Sequence, residues 1–303
     1  MGPKLISKVS EKTGIAYSWR LLPFGGFVAM VGEDEESADE RAFCRKPVWQ
    51  RIIITAAGSF MNIVLGVVIT FIMVVSSSAI GGTTVADFDD NAVSVKGGLQ
   101  AGDEILSIDG VRVHISSQLI YEISRCTDGP VNVEVKRGSE NVTLESVEFG
   151  TETQEGILFG RCDFTIFAVP KTFGNVLSHT FYGSGLFIKE IWQSVGDLIS
   201  GRYGVDAVSG PVGVTSAITQ VAKKSPTSLL MLIAVIAMNL GIFNMLPIPA
   251  LDGGKIFFLL IELIFRKPVS RKVEGYIHTA GMIILFSLLI FITVKDVYKL
   301  ILK

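Results

Sequence analysis

The residues best suited to chemistry lie together in one apolar stretch of the C-terminal third of the chain. Asp252 stands there with two asparagines, Asn239 and Asn244, and Pro247 and Pro249 precede the aspartate. A proline lacks a backbone N–H and restricts the residue before it, so two prolines spaced two apart end a regular helix. Polar groups beside such a break are costly in lipid and therefore indicate a functional site. The pattern also fits a helix that restarts with Asp252 as its N-cap, with both asparagines bonded to neighbouring helices.

Three uncharged runs predict the membrane-spanning helices that carry these residues. The 303 residues are 49% hydrophobic and 18% charged, below the roughly 25% charged residues of soluble domains. No charged residue occurs at 52–80 or at 225–251, and 275–294 contains none except a histidine. Because a bilayer span needs about 20 such residues, we predict a multi-pass α-helical membrane protein.

Basic residues near the ends of the spans predict the orientation of the chain in the cell membrane. One cluster precedes the first span and another separates the second span from the third, so both should face the cytoplasm. Residues 82–224 should then lie on the extracytoplasmic side. The net charge of -2 argues against nucleic acid as a partner. The two clusters are Arg41, Arg45, Lys46 and Arg51, and Arg266, Lys267, Arg271 and Lys272.

Residues 83–149 have the pattern of a folded α+β module. Asp109–Gly110 is a strong signal for a tight turn between two strands. A short helix is predicted at 117–124, and two strands follow it at 131–136 and 142–147. This module is therefore predicted to be a separate soluble domain inserted between the first span and the second.

Two further segments are expected to associate with the membrane. Residues 15–32 are rich in aromatic and apolar residues around a proline and a glycine pair, which predicts a β-hairpin at the membrane interface. Residues 176–213 repeat apolar residues at helical spacing, which predicts an amphipathic helix on the membrane surface or against the other helices. The predicted division is 1–50 cytoplasmic hairpin and acidic loop, 51–81 first span, 82–150 inserted domain, 151–224 linker and amphipathic helix, 225–265 broken second span, and 266–303 cytoplasmic loop and last span.

Several motifs, in order along nearly the whole chain, resemble those of the site-two protease family of intramembrane zinc metalloproteases, in its bacterial PDZ-containing type. Pro-x-Pro-x-Leu-Asp-Gly-Gly at 247–254 is similar to the motif that supplies the family's third zinc ligand. Residues 20–28 resemble its membrane-associated β-loop, and 98–110 resemble the signature of a bacterial PDZ domain. Residues 57–62 resemble its Ala-Gly-Pro-x-x-Asn motif, with Ser59 where proline is usual.

The resemblance implies a protease that hydrolyses peptide bonds in transmembrane protein substrates within the lipid bilayer, as in regulated intramembrane proteolysis. It implies zinc as the cofactor and Asp252 as a metal ligand. Asn239 and Asn244 would then position an unwound substrate strand, and the hairpin at 15–32 would offer that strand an edge. The PDZ-like domain would bind a peptide ligand by adding a strand to its sheet.

One departure from the family is serious, because no His-Glu-x-x-His sequence occurs in these 303 residues. The resemblance places that helix directly before Gly2, so we expect the sequence either to be truncated there or to have lost the helix. A catalytic zinc takes three protein ligands, and Asp252 supplies one. We therefore expect this chain alone to bind zinc weakly and to be inactive.

The histidines that are present are poor substitutes for the missing pair. His114 and His179 belong to the extracytoplasmic region, and His278 is expected to be a hydrogen-bond partner between helices rather than a ligand. Two other functions remain open on the sequence alone. One is an inactive membrane-bound PDZ scaffold that binds peptides, which zinc content would distinguish. The other is a transporter with broken helices at midplane, although no inverted repeat is visible.

Overall fold

The computed structural model describes residues 4–10, 16–21, 30–32, 37–154, 157–202 and 208–301. Contacts divide the chain into two compact units, Met1–Ile53 and Ile54–Lys303. The second unit holds the stretch around Asp252 that the sequence singles out, together with most of the helices and the largest sheet.

The first unit contains an antiparallel hairpin of β1 (Lys4–Val9) and β2 (Ala16–Arg20). Trp19 lies opposite Ile6 and Tyr17 opposite Lys8, so both aromatic rings share one face of the hairpin. The hairpin predicted at 15–32 overlaps only the second of these strands, and residues 22–29 lie outside the described part of the chain.

The helix α1 (Val48–Ser76) is the first long apolar element. Its buried residues are Ser59, Gly66, Ile69 and Thr70. Ser59 and Gly66 are two turns apart, and Ile69 and Thr70 lie one turn after Gly66, so all four share one face. Large apolar side chains elsewhere on the helix are exposed, among them Phe60, Leu65 and Phe71. One packed face and an exposed apolar remainder are what a helix in lipid requires.

The β domain follows, at residues 80–169. Its main sheet is antiparallel, and its strands lie in the order β10, β3, β4, β6, β7, with β5 paired to β4. A separate antiparallel hairpin is formed by β8 and β9. The elements are β3 (Ile80–Phe88), β4 (Glu104–Ile108), β5 (Val111–Arg112), α2 (Ser116–Arg125), β6 (Val131–Arg137), β7 (Glu140–Val147), β8 (Gly150–Gln154), β9 (Ile157–Arg161) and β10 (Phe164–Val169).

The core of the β domain lies between its sheet and α2. Leu119 and Ile123 of α2 are fully buried against sheet residues that alternate along each strand. Asp109 and Gly110 both have positive φ, 47° and 77°, in the two-residue loop that joins β4 to β5. The tight turn predicted at Asp109–Gly110 is therefore confirmed, and it is the type that two positive φ angles produce.

The helix α3 (Phe173–Ile199) contacts the β domain with one side and the membrane helices with the other. Toward α2, Lys189 pairs with Glu122, and Asp197 accepts from Arg125 at 2.8 Å. Ile191 packs in a second apolar cluster with residues of the helices around it. The predicted amphipathic helix thus lies against other helices and ends at Ile199.

Four helices complete the chain: α4 (Pro211–Lys224), α5 (Pro226–Met245), α6 (Asp252–Phe265) and α7 (Arg271–Ile301). Asp296 of α7 is buried and accepts hydrogen bonds from Gly210 N and Gly213 N, at 2.8 and 2.9 Å, at the start of α4. In the described residues, three helical segments are long and apolar enough to cross a membrane, and they lie in α1, α5 and α7. These segments match the three predicted spans.

Candidate functional site

Asp252 is the first residue of α6, and its carboxylate contacts α1. Ser59 Oγ donates to Asp252 Oδ2 at 3.0 Å. Asp252 is half-buried, whereas Ser59 is fully buried. The N-cap position of α6 belongs to Leu251, which makes no side-chain capping bond. Asp252 is therefore not the N-cap that the sequence left open as an alternative.

A close crossing of α1 and α5 fixes the position of Ser59. A Cβ added to Gly241 of α5 would lie 2.8 Å from Ser59 O and 2.7 Å from Ile63. A Cβ on Gly66 would lie 2.4 Å from Met238, one α-turn from Gly241. Small residues of this kind let membrane helices approach closely, and here they hold the backbone of Ser59 beside the start of α6.

The break between α5 and α6 contains a tight turn. Leu251 N donates to Ile248 O at 3.2 Å, and Ala250 has a φ of 77°. Proline at the second turn position and a positive φ at the third are features of a type II turn, which usually has glycine at the third position. Pro249, one of the two prolines predicted to break the helix, is therefore part of a turn immediately before Asp252.

Two glycines after Asp252 allow α6 to begin against this turn. A Cβ on Gly253 would lie 2.1 Å from Leu246 O, and a Cβ on Gly254 would lie 2.5 Å from Ile248 O. Real Cβ atoms do not approach backbone oxygens that closely, so any side chain would displace the helix start. The two glycines of the Asp-Gly-Gly sequence thus allow the first turn of α6, which carries the Asp252 carboxylate, to pack directly against the backbone of the preceding turn.

The helix α7 holds the other side of the turn. His278 Nδ1 accepts from Ala250 N at 2.9 Å, and a Cβ on Gly281 would lie 2.5 Å from Pro249 Cβ. His278 Nε2 is buried and 3.9 Å from Glu274 Oε1, beyond hydrogen-bond distance. Since Nδ1 accepts a hydrogen bond, the ring proton is assigned to Nε2. His278 therefore bonds the turn that joins α5 to α6, whereas the sequence predicted a partner on another helix.

The two predicted substrate-positioning residues lie on α5. Asn239 and Asn244 are half-buried, and the described residues give neither side chain a hydrogen-bond partner. Asn239 follows the fully buried Met238, whose neighbours include Ile63 of α1. Both amides are therefore on the element that also holds Ser59 in place.

The residues present do not by themselves fit the zinc ion that the resemblance implies. In the ranges that the structure describes, no group of three His, Cys, Asp or Glu residues could hold a metal ion. Asp252 fits as one carboxylate ligand of a larger set. His179 instead bonds Asn175 O and Gly81 O, and His114 stacks on Tyr182. The role of Asp252 as a zinc ligand therefore stays a prediction from the sequence.

Sequence reasoning did not find the contact between Ser59 and Asp252. The two residues are 193 positions apart, and no local pattern joins them. The available signal was indirect, because Ser59 is the position at which the chain departs from the motif that residues 57–62 resemble.

Comparison with known proteins gives consistent matches. The sequence pattern described as Peptidase family M50 matches residues 1–288. A Clostridium perfringens protein, whose name describes it as a candidate zinc metalloprotease, is 34% identical over 302 residues, 98% of this chain and 87% of that protein. The regulator of sigma-W protease RasP of Bacillus subtilis is 32% identical over 279 residues, 90% of this chain and 65% of that protein. The zinc metalloprotease RasP of Bacillus licheniformis is 34% identical over 287 residues, with the same two coverages. This chain thus spans slightly less than two thirds of each RasP protein.

Proposed function

This chain belongs to peptidase family M50, the site-two protease family of zinc metalloproteases, and we propose that it hydrolyses peptide bonds of transmembrane proteins within the bilayer. The observation that carries the proposal is the position of Asp252. Its carboxylate is at a helix break among apolar residues, and the described residues give it one hydrogen bond. A carboxylate left this open in an apolar setting is suited to a ligand role.

In this proposal Asp252 is one zinc ligand, and the other ligands belong to a His-Glu-x-x-His helix. A zinc ion held by that complete set would supply the Lewis acidity that makes water a nucleophile at neutral pH. The 303 residues contain no His-Glu-x-x-His sequence, so this chain alone should hold zinc weakly. That fact also favours the second candidate function, an inactive membrane-bound scaffold that binds peptides.

Asn239 and Asn244 are proposed to position the substrate. A transmembrane helix that opens for cleavage exposes backbone N–H and C=O groups, which need partners in a site without water. Two half-buried amides with no partner among the described residues can supply both donors and acceptors. Both lie on α5, whose Gly241 packs closely against Ser59, the residue that bonds Asp252.

The β domain is proposed to be the PDZ-like domain and to bind peptide on the extracytoplasmic side. Its antiparallel sheet, its helix α2 and its glycine turns support this proposal. A cysteine placed at Ser139 should react with an impermeant reagent in intact cells, and one at Ser270 should be protected; the reverse pattern would refute the orientation. Because the Bacillus subtilis relative is named regulator of sigma-W protease RasP, we also propose a regulatory role for cleavage.

The test uses the joined protein, which we define as residues 1–303 with a His-Glu-x-x-His helix of the family's kind added at the N-terminus. In it, Asp252→Asn should reduce cleavage of a transmembrane reporter by at least about 100-fold, since even a residue that only orients a ligand contributes 10- to 100-fold. Membrane insertion should be unchanged, because the amide keeps the size of the carboxylate and can still accept from Ser59.

Asn239→Ala and Asn244→Ala are the companion variants. They should slow cleavage while zinc stays bound, since their proposed role is to orient substrate. A fully active Asp252→Asn protein would contradict the ligand role. A joined protein that binds peptide but cleaves no reporter would instead favour the scaffold.

A further inference from the structure

We propose that Ser59 is a positioning residue for Asp252, with its hydroxyl holding Oδ2 while Oδ1 accepts no hydrogen bond from the described residues. This inference rests on the proposed function of Asp252. It assigns to Ser59 a role that follows from the contact between α1 and the start of α6.

The geometry of the pair is specific. Ser59 is 0% exposed, and its Oγ donates to Asp252 Oδ2 at 3.0 Å. A hydrogen bond from a hydroxyl to a charged carboxylate is stronger than one between neutral groups. A buried hydroxyl without water around it also has few other partners, so this bond fixes the direction of both side chains.

The backbone of Ser59 has little freedom to move away from Asp252. Its carbonyl oxygen is in the crossing with α5, where even one added carbon on Gly241 would come within 2.8 Å. On the other side, Gly253 and Gly254 hold the first turn of α6 against the backbone of residues 245–249. Donor and acceptor are therefore placed by two independent packing contacts, which is how a supporting residue holds a functional group in one orientation.

Another residue of α1 shows what a buried hydroxyl does without such a partner. Thr70 is 6% exposed, and its Oγ1 donates to Gly66 O of its own helix at 2.9 Å. Back-bonding to the preceding turn is the ordinary fate of a hydroxyl inside a helix. Ser59 instead bonds a residue 193 positions away. The family motif that residues 57–62 resemble has a proline at this position, and proline has no hydroxyl that could make this bond.

The first experiment measures the contact in the 303-residue chain itself, in detergent, with a double-mutant cycle. Ser59→Ala should lower the thermal unfolding midpoint by about 2 to 4 °C in the natural background. The same change in an Asp252→Ala background should have almost no effect, because the acceptor is already gone. Thr70→Val is the matched control and should give the same shift in both backgrounds. Equal shifts for Ser59→Ala in both backgrounds would overturn the proposal.

The second experiment separates positioning from mere stability, in the joined protein. Ser59→Ala should lower kcat by about 10- to 100-fold with KM nearly unchanged, whereas Thr70→Val should leave both constants as they are. An unchanged kcat for Ser59→Ala would overturn the positioning role even if the cycle shows coupling. A fully active Asp252→Asn protein would refute the proposed function instead, and the cycle would still report on the contact.

Discussion

Two aspartates, Asp103 in the β domain and Asp252 at the start of α6, have very different surroundings. Asp103 is 1% exposed and accepts three hydrogen bonds, two from Arg137 at 2.7 and 2.8 Å and one from Gln100 N at 2.9 Å. Asp252 is half-buried and, among the described residues, has one hydrogen bond, from Ser59. Both carboxylates are held in place, but only the second retains an open oxygen.

A third aspartate, also buried in the β domain, is paired in the same way as Asp103. Asp163 is buried and accepts from Val93 N, Ser94 N and Ser94 Oγ at 2.6, 3.0 and 2.7 Å. Buried polar groups are paired in this way when their role is structural, because an unpaired group costs stability. A carboxylate with spare acceptor capacity in an apolar site therefore points to a role outside the fold.

Among the predictions from this comparison, the largest effect on stability is expected when the cation that pairs with Asp103 is removed. Arg137→Ala should destabilise the β domain by about 2 kcal/mol, because it leaves Asp103 buried and without its cation. The value is below that of a fully buried pair since the Arg137 side chain is 35% exposed. This loss of stability is measured by denaturant unfolding of the full chain, with limited proteolysis of the β domain as the readout.

Arg161→Ala is the matched control for that prediction. Arg161 pairs with Asp89, but the two side chains are 55% and 43% exposed. Its removal should leave the free energy of unfolding nearly unchanged, because water screens an exposed pair. Equal losses for both arginine variants would mean that burial does not distinguish the pairs.

A smaller effect, on cleavage, is expected when the turn before Asp252 is displaced. Gly281→Ala puts a Cβ 2.5 Å from Pro249 Cβ, so the turn before Asp252 must shift. Cleavage by the joined protein should fall about tenfold, since small displacements of reacting groups are costly. Gly275→Ala on the same helix meets open space and should leave cleavage unchanged. Equal activity of the two variants would show that the turn is not constrained.

The smallest effect is a pH dependence of the β domain. Burial alone would raise the pKa of Asp103, but the hydrogen bond from Arg137, the Gln100 N–H and the charge of Arg137 together bring that pKa below its ordinary value. A carboxyl whose pKa is lower in the folded chain stabilises the fold at any pH above its pKa in the unfolded chain, which is about 4. This stabilisation is lost as the pH falls through the pKa of the folded chain. The thermal unfolding midpoint of the natural chain should therefore decrease as the pH is lowered below about 4. Arg137→Ala should weaken that pH dependence. A dependence of equal size in both proteins would exclude Asp103 as its source.

Composition and local spacing were enough to predict the spans and the broken helix. An uncharged run can only be buried in lipid or in a core, and Pro247 and Pro249 cannot continue a helix. Strand pairing was harder, because β1 is a short strand whose side chains are mostly exposed, and such strands specify their partner weakly. The predicted domain boundaries and the PDZ assignment stay predictions.

The candidate site was predictable only in part, for a physical reason. Asp252 could be singled out because a charge in an apolar run has a cost that is visible in the sequence. Its partner Ser59 is a common small residue in an apolar helix, and only the crossing of α1 with α5 makes its hydroxyl significant. Contacts of this kind depend on packing between distant segments, which no local pattern encodes.

The central claim, that Asp252 is the metal ligand contributed by this chain, is tested most directly by zinc content after purification without added metal. The account predicts about one zinc ion per chain in the joined protein and far less both in residues 1–303 alone and in the joined Asp252→Asn variant. A full equivalent of tightly bound zinc in the Asp252→Asn variant would contradict it.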